Sequence, residues 1–190
     1  MVVFDYDGVL IKNKKIELIG RKLLKKIGFK NPPAIFFTIG GLITSLSISK
    51  SVISEEVKKI LGKYHAEKIY TGILTDQNLF SIVKNLKKNN FSFADFDFIQ
   101  AKKSFLNRFS GINSLVGRLK STWLAVTNKT KPHPDVFKEL AQFAKEKRIK
   151  NEEILMIDDI DEIRSAARKF GFSVAESIRQ SIFIINPDLS

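Results

Sequence analysis

The sequence contains no cysteine and only two histidines, His65 and His133. Without cysteine, the chain cannot form a disulfide scaffold, a thiolate zinc site or a cysteine nucleophile. Two histidines are also too few for a histidine-rich metal site. Carboxylates, lysines and hydroxyl groups must therefore carry any chemistry that the protein performs.

Acidic residues are scarce relative to basic ones, with 20 Asp and Glu against 32 Lys and Arg and a net charge of +12. This excess favours anionic partners such as phosphorylated metabolites, nucleic acid or acidic lipid, and does not choose among them. The longest uncharged run, residues 31–49, contains two prolines and two glycines, so we expect no membrane span. Acids interrupt the apolar start of the chain, which argues against a signal peptide, and we expect a cytoplasmic protein.

Short apolar runs at 2–4, 123–126 and 154–157 predict buried strands, with 172–175 and 182–185 as further candidates. Predicted helices follow these runs, and the alternation predicts an α/β fold with a parallel sheet wound by right-handed crossovers. A chain of 190 residues suits one compact domain or a small core with an inserted subdomain.

The stretch between the first and second predicted strands is predicted to contain helices only. Apolar residues recur there at helical spacing, with helix starts at Ser54 and after Thr75-Asp76, so residues 12 to about 90 are predicted to be all-helical. A phenylalanine-rich segment follows, which we interpret as core packing rather than a platform for stacking bases.

Polar residues end the three strongest predicted strands: Asp5, Thr127 and the pair Asp158-Asp159. Carboxyl ends of parallel strands lie on one edge of a sheet, so these residues should converge there with Asp7. Four carboxylates in one place repel each other unless a cation neutralises them, and hard oxygen ligands point to Mg²⁺. A carboxylate beside Mg²⁺ can attack a phosphoryl group, a second can move the proton, and Thr and Lys can hold the phosphoryl oxygens.

Four segments in chain order resemble the motifs of the haloacid dehalogenase (HAD) superfamily. Each lies at the end of a predicted strand or the start of a predicted helix, and together they are more specific than one Asp-x-Asp-Gly. The trailing Ala167 and Gly171, and Phe109-Ser110-Gly111, also match the pattern. The motif segments are Val3-Phe4-Asp5-Tyr6-Asp7-Gly8-Val9-Leu10, Leu124-Ala125-Val126-Thr127-Asn128, Lys131-Pro132-His133-Pro134-Asp135-Val136-Phe137 and Ile154-Leu155-Met156-Ile157-Asp158-Asp159.

The resemblance implies a Mg²⁺-dependent phosphohydrolase with a Rossmann-like core at residues 1–10 and 101–190 and a helical cap at 11–100 inserted between the first and second motifs. It implies these roles: Asp5 as nucleophile and metal ligand; Asp7 as general acid/base whose main-chain carbonyl binds metal; Thr127, Asn128 and Lys131 as phosphoryl ligands; Asp159 as metal ligand; and Asp158 as ligand or orienting group.

Two features depart from the family pattern. Only Lys129 and Thr130 separate Asn128 from Lys131, so we expect the core to be one strand short, and either Lys129 or Lys131 to be the functional lysine. In addition, Ile163 stands where the family has a further Asp, which Asp161 or Glu162 would have to replace.

The resulting hypothesis is a phosphomonoesterase that forms an aspartyl phosphate and acts on a small phosphorylated metabolite. Two alternatives stay open: a phosphomutase of the same family, and a non-catalytic or nucleic-acid-associated protein that retains the fold. Nucleic acid is the less favoured partner. The shortened core would expose a sheet edge that a homodimer or residues 182–185 would cover. No motif in the sequence identifies the substrate.

Overall fold

A computed structural model describes residues 1–11, 52–102 and 122–185. Six strands and five helices lie in these ranges. In chain order they are β1 (Val2–Asp5), α1 (Glu55–Ala66), β2 (Thr71–Asn78), α2 (Leu79–Lys88), β3 (Phe98–Lys102), β4 (Trp123–Thr127), α3 (Pro134–Glu146), β5 (Leu155–Ile157), α4 (Asp161–Lys169), β6 (Ser173–Ala175) and α5 (Ile178–Ile185). Two short 3₁₀ turns, Phe93–Asp95 and Asn151–Glu153, precede β3 and β5.

The strands form a single parallel sheet with the order β4-β3-β2-β1-β5-β6. Helices cover both of its faces, so the strands are apolar on both sides. One face packs Phe4, Ile73 and Ile99 against α1, α2 and the start of α5. The other packs Val3, Leu74 and Phe98 against α3 and α4. This arrangement confirms the predicted α/β class and the parallel sheet.

Several helix boundaries follow the signals in the sequence. Ser54 caps α1 by accepting a hydrogen bond from the Val57 N–H, and Glu55 and Glu56 occupy the first turn. Pro134 stands in the first turn of α3. Gly171, with a φ of +82°, follows the end of α4. The phenylalanine-rich segment is core as predicted, since Phe93, Phe96 and Phe98 are buried.

Two predictions about strands are wrong. Residues 71–78 were predicted to be helical and residues 98–100 to belong to the cap, yet 71–78 and 98–102 form β2 and β3, which pair with each other, and β2 pairs with β1. The sheet is therefore not one strand short, because β2 and β3 lie between β1 and β4. Residues 182–185 belong to α5 and form no strand, since a short apolar run fits a buried strand and a buried helix equally well.

The described residues that flank segment 12–51 pair with each other. Ile11 and Ile53 form an antiparallel bridge, and the Ile53 N–H donates to Asn89 Oδ1 over 2.8 Å. Residues 12–51 of the cap predicted at 11–100, the predicted helix at 112–120 and the Phe109-Ser110-Gly111 element lie outside the described residues. None of the described helices is long and apolar enough to cross a membrane.

Candidate active site

The carboxylate of Asp5 lies at the end of β1, at the carboxyl edge of the sheet, and the residue is only 5% exposed. The chain then turns back on itself: the Leu10 N–H donates to the Asp5 carbonyl and the Gly8 N–H donates to the Ile11 carbonyl. Gly8 has a φ of +95°, a backbone conformation that residues other than glycine rarely adopt. The turn thus presents Asp5 and Asp7 on one short loop.

Lys131 reaches the same point from the loop that precedes α3. Its ammonium donates hydrogen bonds to Asp5 Oδ1 over 2.6 Å and to Asp158 Oδ2 over 2.7 Å, and its side chain is 3% exposed. The backbone N–H of Lys131 donates to Asp76 Oδ1 over 2.9 Å. The lysine of this site is therefore Lys131, whereas Lys129 is exposed.

Asp158 and Asp159 follow β5, the other neighbour of β1. Asp158 is fully buried, and the Ile160 N–H donates to its second oxygen over 3.0 Å. The Arg164 guanidinium donates to the main-chain carbonyl of Asp158 over 2.7 Å. Both carboxylate oxygens of Asp158 thus have protein partners, and Arg164 holds the turn that carries the two acids.

Asp159 is half-buried and lies against Gly8, so closely that a Cβ atom built on Gly8 would lie 2.6 Å from Asp159 Oδ2. A glycine at position 8 therefore lets the first and the last acidic loops approach each other. Asp7, also half-buried, is near enough to Asp5 for its charge to act on that carboxyl.

The acids fit a hard divalent cation. One oxygen from each of Asp5, Asp158 and Asp159 lies within 4.8 Å of the others, and carboxylate oxygens are the ligands that Mg²⁺ prefers. Asp5 and Asp158 share the single Lys131 ammonium, so the three carboxylates, once ionised, outnumber the positive charge beside them. These three residues would hold the ion.

Burial sets the electrostatics of the Asp5–Lys131 pair. Loss of solvent raises the pKa of Asp5 to about 8; the ammonium of Lys131 opposes this rise, and the charges of Asp158 and Asp7 add to it. Burial alone would lower the pKa of Lys131, but the two carboxylates raise it above its ordinary value. Lys131 therefore stays protonated while it bridges two acids.

Thr127 and Asn128, predicted as phosphoryl ligands, lie elsewhere. Thr127 ends β4 and Asn128 follows it, and β3 and β2 separate that edge strand from β1. At about 4.8 Å per strand, three strand spacings place Thr127 about 14 Å from Asp5. The Thr127 hydroxyl instead accepts a hydrogen bond from the Lys129 N–H. The prediction that they meet Asp5 is wrong, because it assumed that β4 is the neighbour of β1.

Thr75 is the threonine nearest to Asp5 in the register of the sheet. Leu74 on β2 is in register with Asp5, and Thr75 follows it, 4% exposed. The Gln77 N–H donates to the Thr75 hydroxyl oxygen over 3.0 Å, which leaves the O–H free to act as a donor elsewhere. The sequence did contain a signal, since Ile73-Leu74-Thr75-Asp76 is an apolar pair, a threonine and a polar residue, like the run that ends in Thr127-Asn128.

Ile163 is buried in the core of the sheet face that α4 covers. Neither neighbouring acid contacts the carboxylate cluster in its place: Asp161 is exposed and accepts a hydrogen bond from Arg164, and Glu162 is exposed. The Arg164 hydrogen bond to the Asp158 carbonyl supports the acidic turn instead.

No protein-family model matches the chain, and no curated protein sequence matches it. Solved structures do share its fold. A HAD-superfamily hydrolase of subfamily IA from Geobacter sulfurreducens matches with a TM-score of 0.62 at 16% identity, covering 100% of this chain and 98% of that one. A HAD family enzyme from Bacteroides thetaiotaomicron, solved with magnesium and inorganic phosphate, matches with a TM-score of 0.55 at 17% identity, covering 92% and 91%. A β-phosphoglucomutase from Clostridium difficile matches with a TM-score of 0.61 at 16% identity, covering 91% and 82%. The fold is thus the one shared by HAD-superfamily enzymes.

Proposed function

We propose that this chain is a HAD-superfamily enzyme, a Mg²⁺-dependent phosphomonoesterase that forms an aspartyl phosphate on Asp5. The observation that carries the proposal is the buried Asp5 carboxylate, held at one oxygen by Lys131 and flanked by Asp158 and Asp159. Its position at the end of the central β1 in this fold supports the same function.

In the first step, the Asp5 oxygen that is not bonded to Lys131 attacks phosphorus. A new bond forms between this oxygen and phosphorus, and the bond from phosphorus to the leaving oxygen breaks. Asp7, on the same loop, gives its proton to the leaving oxygen. In the second step a water oxygen attacks phosphorus, Asp7 takes a proton from the water, and the bond between the Asp5 oxygen and phosphorus breaks, which frees inorganic phosphate and regenerates the Asp5 carboxylate.

The remaining groups hold charge and orientation. Lys131 and the Thr75 hydroxyl donate to the phosphoryl oxygens, whose negative charge must be stabilised in the transition state. Asp5, Asp158 and Asp159 would hold Mg²⁺, and the bound ion would supply positive charge that offsets the repulsion between these acids and the phosphoryl group. Asp158 also keeps the Lys131 ammonium beside Asp5.

A small phosphorylated metabolite is the substrate that we propose. The net charge of +12 suits an anionic substrate, and the cap that the family resemblance implies would enclose a small one. The bridge between Ile11 and Ile53 supports an inserted cap, because it joins described residues on the two sides of segment 12–51. The cytoplasmic location and the homodimer stay predictions.

The test is phosphate release by the full chain from a panel of phosphorylated metabolites, with Mg²⁺ and with a chelator. We expect Mg²⁺-dependent release that Asp5→Asn abolishes and Asp135→Asn retains, since Asp135 is an exposed acid that binds Lys138. Activity that survives chelation, or that Asp5→Asn retains, would refute the proposal. Transfer of phosphate to a second position of the substrate, without release, would identify a phosphomutase.

A further inference from the structure

Lys131 is held at both ends, by different parts of the sheet. Its ammonium bridges Asp5 at the end of β1 and Asp158 at the end of β5. Its backbone lies on the loop that joins β4 to α3, and β4 is the strand at the far edge of the sheet. The loop must therefore cross two strands to bring the lysine to Asp5.

The hydrogen bond from the Lys131 N–H to Asp76 Oδ1 spans 2.9 Å and joins residues 55 positions apart. The neighbouring backbone hydrogen bonds of this loop are local: the Lys129 N–H donates to the Thr127 hydroxyl, and the His133 N–H donates to the Thr130 carbonyl. Such local bonds shape the loop but do not fix it relative to β1. Asp76, one residue beyond Thr75 on the strand next to β1, does.

We propose that Asp76 is a positioning residue that places the Lys131 backbone so that the ammonium can reach Asp5 and Asp158 together. As regards catalysis, this inference rests on the proposed function and adds to it a residue that was not among the candidates from the sequence. Asp76 acts through Lys131 and need not touch the substrate.

The geometry explains why the acceptor matters. A lysine side chain is long and flexible and could reach many points. Because the Lys131 ammonium makes short contacts to residues on two separate strands at once, only a narrow range of Lys131 backbone positions is compatible with both contacts. Without the acceptor on β2 the loop is free to move outward, and the ammonium then loses one carboxylate or both. A shift of about 1 Å in a positioned group can cost about 10²-fold in rate. We therefore expect Asp76→Ala to lower kcat by about 10- to 100-fold.

A first test needs no substrate. The full chain is treated with a limiting amine acetylating reagent, and the modification of individual lysines is followed by mass spectrometry. In the wild type, Lys131 should react slowly because it is buried between two acids, whereas exposed Lys129 serves as an internal reference. Asp76→Ala should raise the Lys131 rate at least about 10-fold relative to Lys129. Asp76→Asn keeps the acceptor oxygen and should keep the protection.

Two further variants provide a control and a second measurement. Asp135→Ala removes an exposed acid close to the same loop and should leave Lys131 protected. Asp76→Glu moves the acceptor by one methylene and should give an intermediate rate, which supplies a second measurement if the alanine variant does not fold. Lys131 that stays protected in Asp76→Ala, or that is exposed equally in Asp76→Asn and Asp76→Ala, would overturn the proposal.

A kinetic double-mutant cycle tests the same claim in catalysis. If Asp76 acts only through Lys131, Asp76→Ala should cost nothing further in kcat when Lys131 is already alanine. Losses that multiply in the double variant would mean that Asp76 acts independently, which would overturn the positioning role. A wild type without turnover would refute the proposed function, while the acetylation rates would still decide the positioning claim.

Discussion

The environment of each acid at the edge of β1 decides what it can do. Asp5 and Asp7 are two positions apart, yet Asp5 is buried against the Lys131 ammonium while Asp7 is half-buried beyond it. The first suits a carboxylate that attacks, and the second suits a group that exchanges protons with a leaving oxygen or with water. Two carboxylates that are almost adjacent in sequence can thus perform different steps.

Replacing these two acids separates their roles. Asp5→Asn removes the nucleophile and should lower turnover by several decades on every substrate. Asp7→Asn removes the proton donor and should cost roughly 10²–10⁴-fold on an alkyl phosphate. Its effect on an activated aryl phosphate should be smaller, because that leaving group needs little protonation. The check is the rate of both variants on both substrates; an equal loss for Asp7→Asn on the two would exclude its role as leaving-group acid.

Thr75 and Thr127, which each follow a short apolar run, make a matched pair. Thr75 lies on the strand next to β1, one residue beyond the partner of Asp5, and Thr127 lies on the edge strand. Thr75→Val removes a hydroxyl donor without changing the side-chain shape and should lower kcat/KM by about 10²-fold. Thr127→Val should leave kcat/KM within about twofold of the wild type. Steady-state kinetics of both variants decide the matter, and the reverse order of effects would restore Thr127 to the site.

The elements differ in how far the sequence alone could predict them. β1 and β5 are short apolar runs followed by acids, and local pattern suffices to place both. β2 contains only two large apolar residues, Ile73 and Leu74, among mostly small or polar ones. β2 is buried because it pairs with β1 and β3. A local stretch of the sequence does not reveal that pairing. The choice between Thr75 and Thr127 depends on that same strand order, so the pattern that identified a threonine could not identify which one.

Packing between loops gives a prediction at Gly8. A Cβ atom there would overlap the Asp159 carboxylate, and the φ of +95° is strained for alanine. Gly8→Ala should destabilise the fold by about 2 kcal/mol and weaken Mg²⁺ binding, because Asp159 must move. Gly62→Ala is the control: Gly62 lies within α1, nothing lies within 4 Å of the added atom, and the change should stabilise by about 0.5–1 kcal/mol.

Urea unfolding and Mg²⁺ titration measure both glycine variants. Equal stability and equal Mg²⁺ affinity in Gly8→Ala and the wild type would mean that the contact between these two loops is not required for the metal site.

At the scale of the whole molecule, the acidic cluster couples metal binding to stability. Three carboxylates from β1 and β5 converge, and a cation that binds only when they are assembled must stabilise the folded chain. At a Mg²⁺ concentration 100 times the Kd the gain is about 2.7 kcal/mol. We therefore expect Mg²⁺ to raise the Tm of the wild type and to leave that of Asp159→Asn nearly unchanged, as measured by calorimetry. A Tm that Mg²⁺ raises equally in both would place the ion elsewhere.

The central claim is that Asp5 carries the phosphoryl group during turnover. The most direct measurement is rapid acid quenching of the enzyme in the presence of Mg²⁺ and a phosphorylated substrate, followed by peptide mass spectrometry. We predict the added mass of one phosphoryl group on the peptide that contains Asp5, formed before phosphate is released, and its absence in Asp5→Asn. Turnover without any phosphorylated peptide, or a phosphoryl group on another residue, would contradict the account.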